Sequence, residues 1–372
     1  MNKKLFALFS ILILSSILLT ACGNQQVEET VIGERPAVGI VLPTKDEPRW
    51  VQDETRFKEA LTAANYDVQI LFSQGNSAKE KANVEALIAK GVKVIILTPH
   101  DSAAASAAAE IARAAGVKVI SYDRLILNTE AVDFYVTFDS LSVGSAQAQY
   151  LVDNASGTGI PLYLYTGAAS DNNAFLFFEG AWKVLQPKIA DGTFIIANSS
   201  EANALKNKVA LTRDEQAAII GQVTTNWDFN TAKTLATSNL AANSADAKGN
   251  VFILAPNDGT ARAIADAFGA DPDVTNYTIT GQDAEKASIQ YIIDGKQSMT
   301  VFKDVRSLVD DAISTAITFL EGGIPEATNS YNNGIFDVPA KPTVVVTVSK
   351  GNVKEALIDS GYYSISDFTG LP

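Results

Sequence analysis

Beyond Pro36 the chain alternates short apolar runs with longer segments in which apolar residues recur at helical spacing. The first run, Ala-Val-Gly-Ile-Val-Leu at 37–42, is followed by a helical pattern over 50–64, and runs at 68–72 and 92–97 bracket a second one over 78–89. The phrase Gly-Val-Lys-Val-Ile occurs at 91–95 and again at 116–120 with an Ala-rich segment between, which marks two successive strand–helix units. The rhythm resumes after a helical pattern over 143–154, with runs at 160–165, 194–197, 251–254, 277–280 and 299–302. Runs this short and rich in β-branched residues predict buried strands. Their alternation with helices predicts an α/β fold with parallel sheets covered on both faces. Roughly 330 residues is large for one hydrophobic core and natural for two lobes.

The apolar runs stop on polar residues. Tyr122 is followed by Asp123 and Arg124, and the first run by Pro43-Thr-Lys-Asp-Glu-Pro-Arg49-Trp50. Asp171, Asn172 and Asn173 follow the run at 160–165, Asn257 and Asp258 that at 251–254, Gln282 and Asp283 that at 277–280, and Lys303 and Asp304 that at 299–302. Open parallel sheets bind ligands at the carboxyl ends of their strands, so these tips converge on one crevice if the lobes face each other. Carboxylates, amides and cations together suit a neutral polyhydroxylated ring, because every sugar hydroxyl both donates and accepts; Trp50 would cover an apolar face. The competing role for Asp and Asn at these places is helix N-capping. Phe175, Phe177 and Phe178 read as core, and His100 as a surface or packing residue.

The first 35 residues change the picture of location. Lys3 and Lys4 precede an apolar run from Leu5 to Leu19 that ends in Leu19-Thr-Ala-Cys22-Gly23, a signal peptide over 1–22 with a lipidation site at Cys22. The run is short for a membrane span. Residues 23–35 then read as a polar tether. An extracytoplasmic protein, lipid-anchored to the cell membrane or periplasmic face, is therefore expected.

Charge and composition remove other classes. The 42 acidic residues outnumber 29 basic ones, for a net charge of -13, which opposes binding to nucleic acid or anionic lipid. One His and one Cys remove most metal sites, any intrachain disulfide and any Cys–His or Ser–His catalytic pair that would need a second, better-placed imidazole. No metal or cofactor is expected.

Five phrases, in order, carry a resemblance to a known family: Pro43-Thr-Lys-Asp-Glu-Pro-Arg-Trp50, Tyr-Asp-Arg-Leu-Ile at 122–126, Asp-Asn-Asn-Ala-Phe at 171–175, Gly-Gln-Asp-Ala at 281–284 and Phe-Lys-Asp at 302–304. From about Pro36 to Tyr363 the chain resembles the monosaccharide-binding proteins that feed ABC importers, in the branch that binds D-xylose or several sugars such as glucose and galactose. The resemblance implies two Rossmann-like lobes of the type I periplasmic binding protein kind, joined by a three-stranded hinge. It places the crossings near Phe138-Asp139, Asp304-Val305 and Phe336-Asp337, so that one lobe comprises 36–138 plus 305–336 and the other 139–304 plus 337–372. It implies ligand contacts from Lys45, Arg49, Trp50, Asp123, Arg124, Asp171, Asn173, Asn257, Asp283 and Lys303. A monomer that closes on a xylose-, glucose- or galactose-like aldose and delivers it to a permease is the implied function. Presentation of the sugar to a chemoreceptor or sensor kinase stays open. One departure is visible: relatives carry a tryptophan where this chain reads Leu211-Thr-Arg213, which implies that a stacking wall is lost or moved.

Two other classes are less consistent with the residues. A glycosidase would use two of Asp123, Asp171 and Asp283, yet the nearby Lys45, Arg49, Arg124 and Lys303 are expected to keep them ionised. A sugar-sensing repressor shares the lobes but needs a helix-turn-helix before the first strand, where a signal peptide stands instead.

Overall fold

The structure, a computed structural model, describes residues 37–371. The expected signal peptide (1–22), the lipidation site Cys22 and the tether (23–35) lie outside the described residues. Among the described residues no helix is long and apolar enough to cross a membrane.

Two sheets organise the chain. The first is built from β1 (Ala37–Leu42), β2 (Asp67–Phe72), β3 (Val94–Leu97), β4 (Lys118–Tyr122) and β5 (Phe134–Phe138), all parallel. The second is the parallel set β6 (Ile160–Leu164), β7 (Phe194–Ile196), β8 (Gly249–Leu254) and β9 (Val274–Ile279), in the order β7-β6-β8-β9. Central strands such as β3 and β5 are buried at every position, as expected of sheets covered by helices on both faces. Separate apolar clusters line the two faces of each sheet. On the first, Ile40, Ile96, Ile120 and Val136 meet Phe57 and Leu61 on one side, while Val41, Ile95 and Val119 meet Val84 and Leu87 on the other.

The late elements are shared between the lobes. β10 (Met299–Phe302) belongs with the second lobe, whereas the helix Val305–Leu320 packs Leu308, Val309 and Ala312 onto the first sheet. β11 (Asn329–Asn332) and β12 (Asp337–Thr343) extend that same sheet, giving the order β11-β12-β5-β4-β3-β1-β2. β13 (Val346–Ser349) then returns to pair antiparallel with β10. This corrects the expected third crossing. Residues 337–343 pair with β5 and bury Val338 and Ala340 in the first core, so the chain crosses after Thr343 and not at Phe336-Asp337. Pro339 and Pro342 disguise the strand; both are tolerated because each lies where β12 is paired on one side only, Pro339 against β11 and Pro342 against β5. Three segments thus connect the lobes, and two of them touch where Asp139 N–H donates to Thr343 O at 3.0 Å.

Candidate functional site

The tips of β1, β4, β6, β8, β9 and β10 meet across the cleft. Arg49 and Trp50 lie in the first turn of the helix Pro48–Ala63, whose N1 proline needs no backbone donor. Arg49 is the hub of the site. Its Nε and Nη2 grip the Asp53 carboxylate at 2.6 and 3.2 Å, one helical turn away, and Nη2 also donates to Asp123 Oδ2 at 3.0 Å. Its Nη1 lies 3.6 Å from Asp283 Oδ1, on the opposite lobe. Tyr122 Oη donates to Asp53 Oδ1 at 2.5 Å and fixes that carboxylate from the far side.

Asp123 sits at the end of β4 with φ +61, a left-handed conformation uncommon for a side-chain-bearing residue. The turn is held because the Asp123 carbonyl accepts from Tyr135 Oη at 2.8 Å, Asn173 Nδ2 at 2.9 Å and Thr137 Oγ1 at 3.0 Å. Burial pushes the Asp123 carboxyl upward, but Arg49, Lys303 and Arg124 outweigh it and hold it below its ordinary value.

The lobes are tied together by polar contacts. Arg124 Nε meets Asp171 Oδ2 at 2.9 Å, Asn173 Nδ2 donates to Asp123 Oδ1 at 3.2 Å, and Lys303 Nζ in the hinge meets Asp283 Oδ1 at 2.7 Å. Asp171 departs from the expectation that cations keep all three carboxylates low. Burial raises it, and Arg124 only partly offsets the rise. Asp171 and Asn257 also cap the helices Asn172–Ala190 and Asp258–Ala270, so capping and cleft-lining coincide in the same side chains.

These groups surround a narrow cavity lined by Arg49, Trp50, Asp123, Arg124, Asp171, Asn173, Asn257, Asp283 and Lys303. Lys45 is not among them. Its ammonium turns outward to Glu54 at 3.0 Å over the Phe72 ring and is 56% exposed, so it is corrected to a surface residue. The shared phrase put it beside Arg49, but the loop before Pro48 carries it away from the cleft.

Four lining residues were not anticipated as ligand contacts: Glu47, Phe177, Trp227 and Gln282. Phe177 is core and wall at once, buried beside Val143 and Val301. Trp227 resolves the apparent loss of a stacking wall. Its ring stands edge-on to Phe177 and lies against Gly167, where a Cβ would collide with the indole. Asn226 and Trp227 both adopt positive φ to place it there. Arg213 instead stacks over the Phe175 ring and donates to Asn172 Oδ1 at 3.1 Å, away from the cavity wall.

Several buried atoms around the cavity have no hydrogen-bond partner among the described residues: Arg49 Nη1, Trp227 Nε1 and Gln282 Oε1. Buried donors and acceptors are rarely left so, and this set matches what hydroxyls supply.

Two further carboxyls give the protein a pH dependence. Burial raises Glu47 and Glu80 to about 7 each; Glu80 is fully buried and accepts from His100 N–H at 2.8 Å. A carboxyl that binds its proton more tightly when folded stabilises the fold below its unfolded pKa, and that contribution is lost as pH rises through the folded value. The melting temperature without sugar is therefore expected to fall between about pH 5 and pH 8. Glu80→Gln should flatten the profile, and an unchanged slope in that variant would contradict the assignment to Glu80.

A bilobed α/β protein with a hinge of three segments and a small polar cleft is a solute-binding protein in architecture. The family model of the periplasmic binding protein domain matches residues 38–324. The chain belongs to the periplasmic binding protein family. It is 33% identical over 340 residues to the multiple sugar-binding periplasmic receptor of Rhizobium radiobacter, covering 89% of this chain and 91% of that protein. It is 29% identical over 355 residues to the D-xylose-binding periplasmic protein of Escherichia coli, covering 95% of this chain and 99% of that one. Among solved structures, the carbohydrate transporter solute-binding protein from Chloroflexus aurantiacus in complex with D-glucose superposes with a TM-score of 0.89 at 76% identity, over 90% of this chain and 98% of that one. An ABC transporter solute-binding protein from Clostridium phytofermentans with bound β-D-glucose matches at TM-score 0.79 and 31% identity, over 89% and 99% of the two chains.

Proposed function

We propose that the protein captures a single aldose, D-glucose or a close relative such as galactose or xylose, between its lobes and delivers it to the permease of an ABC transporter. The observation that carries this reading is the cavity itself. Its wall joins both lobes, and paired carboxylates and cations alternate around it with unpartnered donors and an acceptor. The glucose-bound relative at 76% identity supports D-glucose as the first sugar to test. Contacts to both lobes would stabilise the closed form over the open one, which is the state a permease would read. Calorimetry with a panel of D-glucose, D-galactose, D-xylose, L-arabinose, D-ribose and L-fucose tests it; absence of heat with every sugar would overturn the reading.

Binding without chemistry fits the cleft better than hydrolysis. Asp171 accepts from Asn173 N–H at 2.9 Å on one oxygen and meets Arg124 on the other, so both of its oxygens are engaged by donors of the protein itself. An extracytoplasmic monomer, lipid-anchored through Cys22, completes the proposal. It rests on the lipidation phrase at 19–23 and on relatives that are periplasmic. Cys22→Ser should abolish lipid labelling and leave an unprocessed or released form; membrane attachment that survives the change would make the apolar run 5–19 the anchor.

A further inference from the structure

Asp283 is the carboxylate on whose Oδ1 Arg49 and Lys303 converge, at 3.6 and 2.7 Å, and its backbone is unusual. Asp283 has φ +98 and Ala284 φ +51, two consecutive non-glycine residues in a region that side chains rarely adopt. Strain of this kind persists only where the surroundings over-determine it.

The surroundings here are Asp258, which is fully buried and is not part of the cavity wall. It is bound to the residues on both flanks of the strained pair. Asp258 N–H donates to Gln282 O at 3.0 Å, and Asp258 Oδ2 accepts from Glu285 N–H at 2.8 Å. Its other oxygen accepts from Gln297 Nε2 at 2.8 Å, and the same amide donates to Met299 O at 3.0 Å, tying the carboxylate to β10. Gly281 is required for this approach, because a Cβ there would collide with Asp258 Oδ1 and Gln297 Nε2. Below, Glu285 pairs with Arg262 at 2.7 Å, and Ser288 Oγ donates to Asp258 O at 3.3 Å. The remaining backbone ties to the strained pair are Asp283 N–H to Val301 O at 2.9 Å, Ala284 N–H to Thr300 Oγ1 at 3.2 Å and Tyr363 Oη to Ala284 O at 2.9 Å.

We propose that Asp258 is a positioning residue for the sugar site, holding the turn 282–285 so that Asp283 faces the ligand between Arg49 and Lys303. The inference rests on the sugar-binding reading above. Asp258 needs two acceptor oxygens for two fixed donors, the Glu285 N–H and the Gln297 amide. An asparagine of the same shape sets its own NH₂ against one of them, so the turn loses a tie while the cavity keeps every lining side chain. A site held loosely by its supporting residues loses affinity even when each contact residue is present.

A double-mutant cycle distinguishes positioning from general weakening. D-glucose affinity is measured by calorimetry for the unsubstituted protein, Asp258→Asn, Asp283→Asn and the double variant. Asp258→Asn should weaken binding about tenfold or more when Asp283 is present and add little when Asp283 is already replaced, within the usual range of coupling between contacting residues. Equal losses in both backgrounds, or no loss in either, would overturn the proposal. If Asp258→Asn does not fold, Gln297→Met removes one donor to the same carboxylate and enters the same cycle with the same two outcomes. Failure of the sugar reading shows separately, as absence of glucose binding by the unsubstituted protein.

Discussion

Arg49→Ala is expected to abolish measurable sugar binding and also to lower the melting temperature of the sugar-free protein. The double effect follows from the partners. Arg49 holds Asp53 within its own helix, Asp123 at the end of β4 and, across the cleft, Asp283. Removing the guanidinium leaves at least two carboxylates buried without their cation, and breaking a buried pair costs about 3–5 kcal/mol. At roughly 1.4 kcal/mol per decade, that is a loss of about a hundredfold to several thousandfold if all of it falls on affinity. Part of it falls on folding, because the Asp53 pair and the Tyr122 hydroxyl behind it lie within one lobe and need no sugar. Arg49→Lys should rescue little, since an ammonium cannot serve Asp53 through two nitrogens and Asp123 at once. Affinity by calorimetry beside a melting curve without sugar checks both halves. Full affinity in Arg49→Ala would remove this residue from the site.

Arg124→Ala should behave differently, weakening sugar binding strongly while sparing the sugar-free fold. Its shortest ion pair, to Asp171, spans the cleft, and its guanidinium lies over the Trp50 ring at 5.0 Å. Truncation strands Asp171 in the closed form, at a cost of about 2–5 kcal/mol for a buried charged partner. That corresponds to about thirtyfold to several thousandfold in affinity. In the open form the same carboxylate would face water, so the penalty is paid on closing. A melting transition that collapses without sugar would show Arg124 to be structural instead.

The contrast between these two arginines was only partly legible in the sequence. Both stand where a strand run ends, and period and composition place those ends at one crevice. The repeat of Gly-Val-Lys-Val-Ile announced the parallel sheet because β-branched residues that pack on both faces leave so plain a pattern. What one period cannot show is which way a loop turns its side chains. Lys45 shares a phrase with Arg49 yet points outward, while Glu47, between them, lines the cleft. Trp227 was hidden for another reason. It follows a helix, not an apolar run, and reaches the cavity through two positive-φ residues that no periodicity marks. Gly167 makes room for the indole, but the two positions are sixty residues apart and no pattern joins them. The strand at 337–343 was obscured by its prolines, since proline argues against a strand until it is known that each stands where the strand is paired on one side only.

The most direct test of a monosaccharide held between both lobes is a crystal structure of the protein grown with D-glucose. The expected result is one sugar ring in the cleft, hydrogen-bonded to Arg49, Asp123 and Arg124 on one lobe and to Asp171, Asn173 and Asp283 on the other, with Trp227 against its face. A cleft that stays empty at saturating glucose, or a sugar held by one lobe alone, would contradict it.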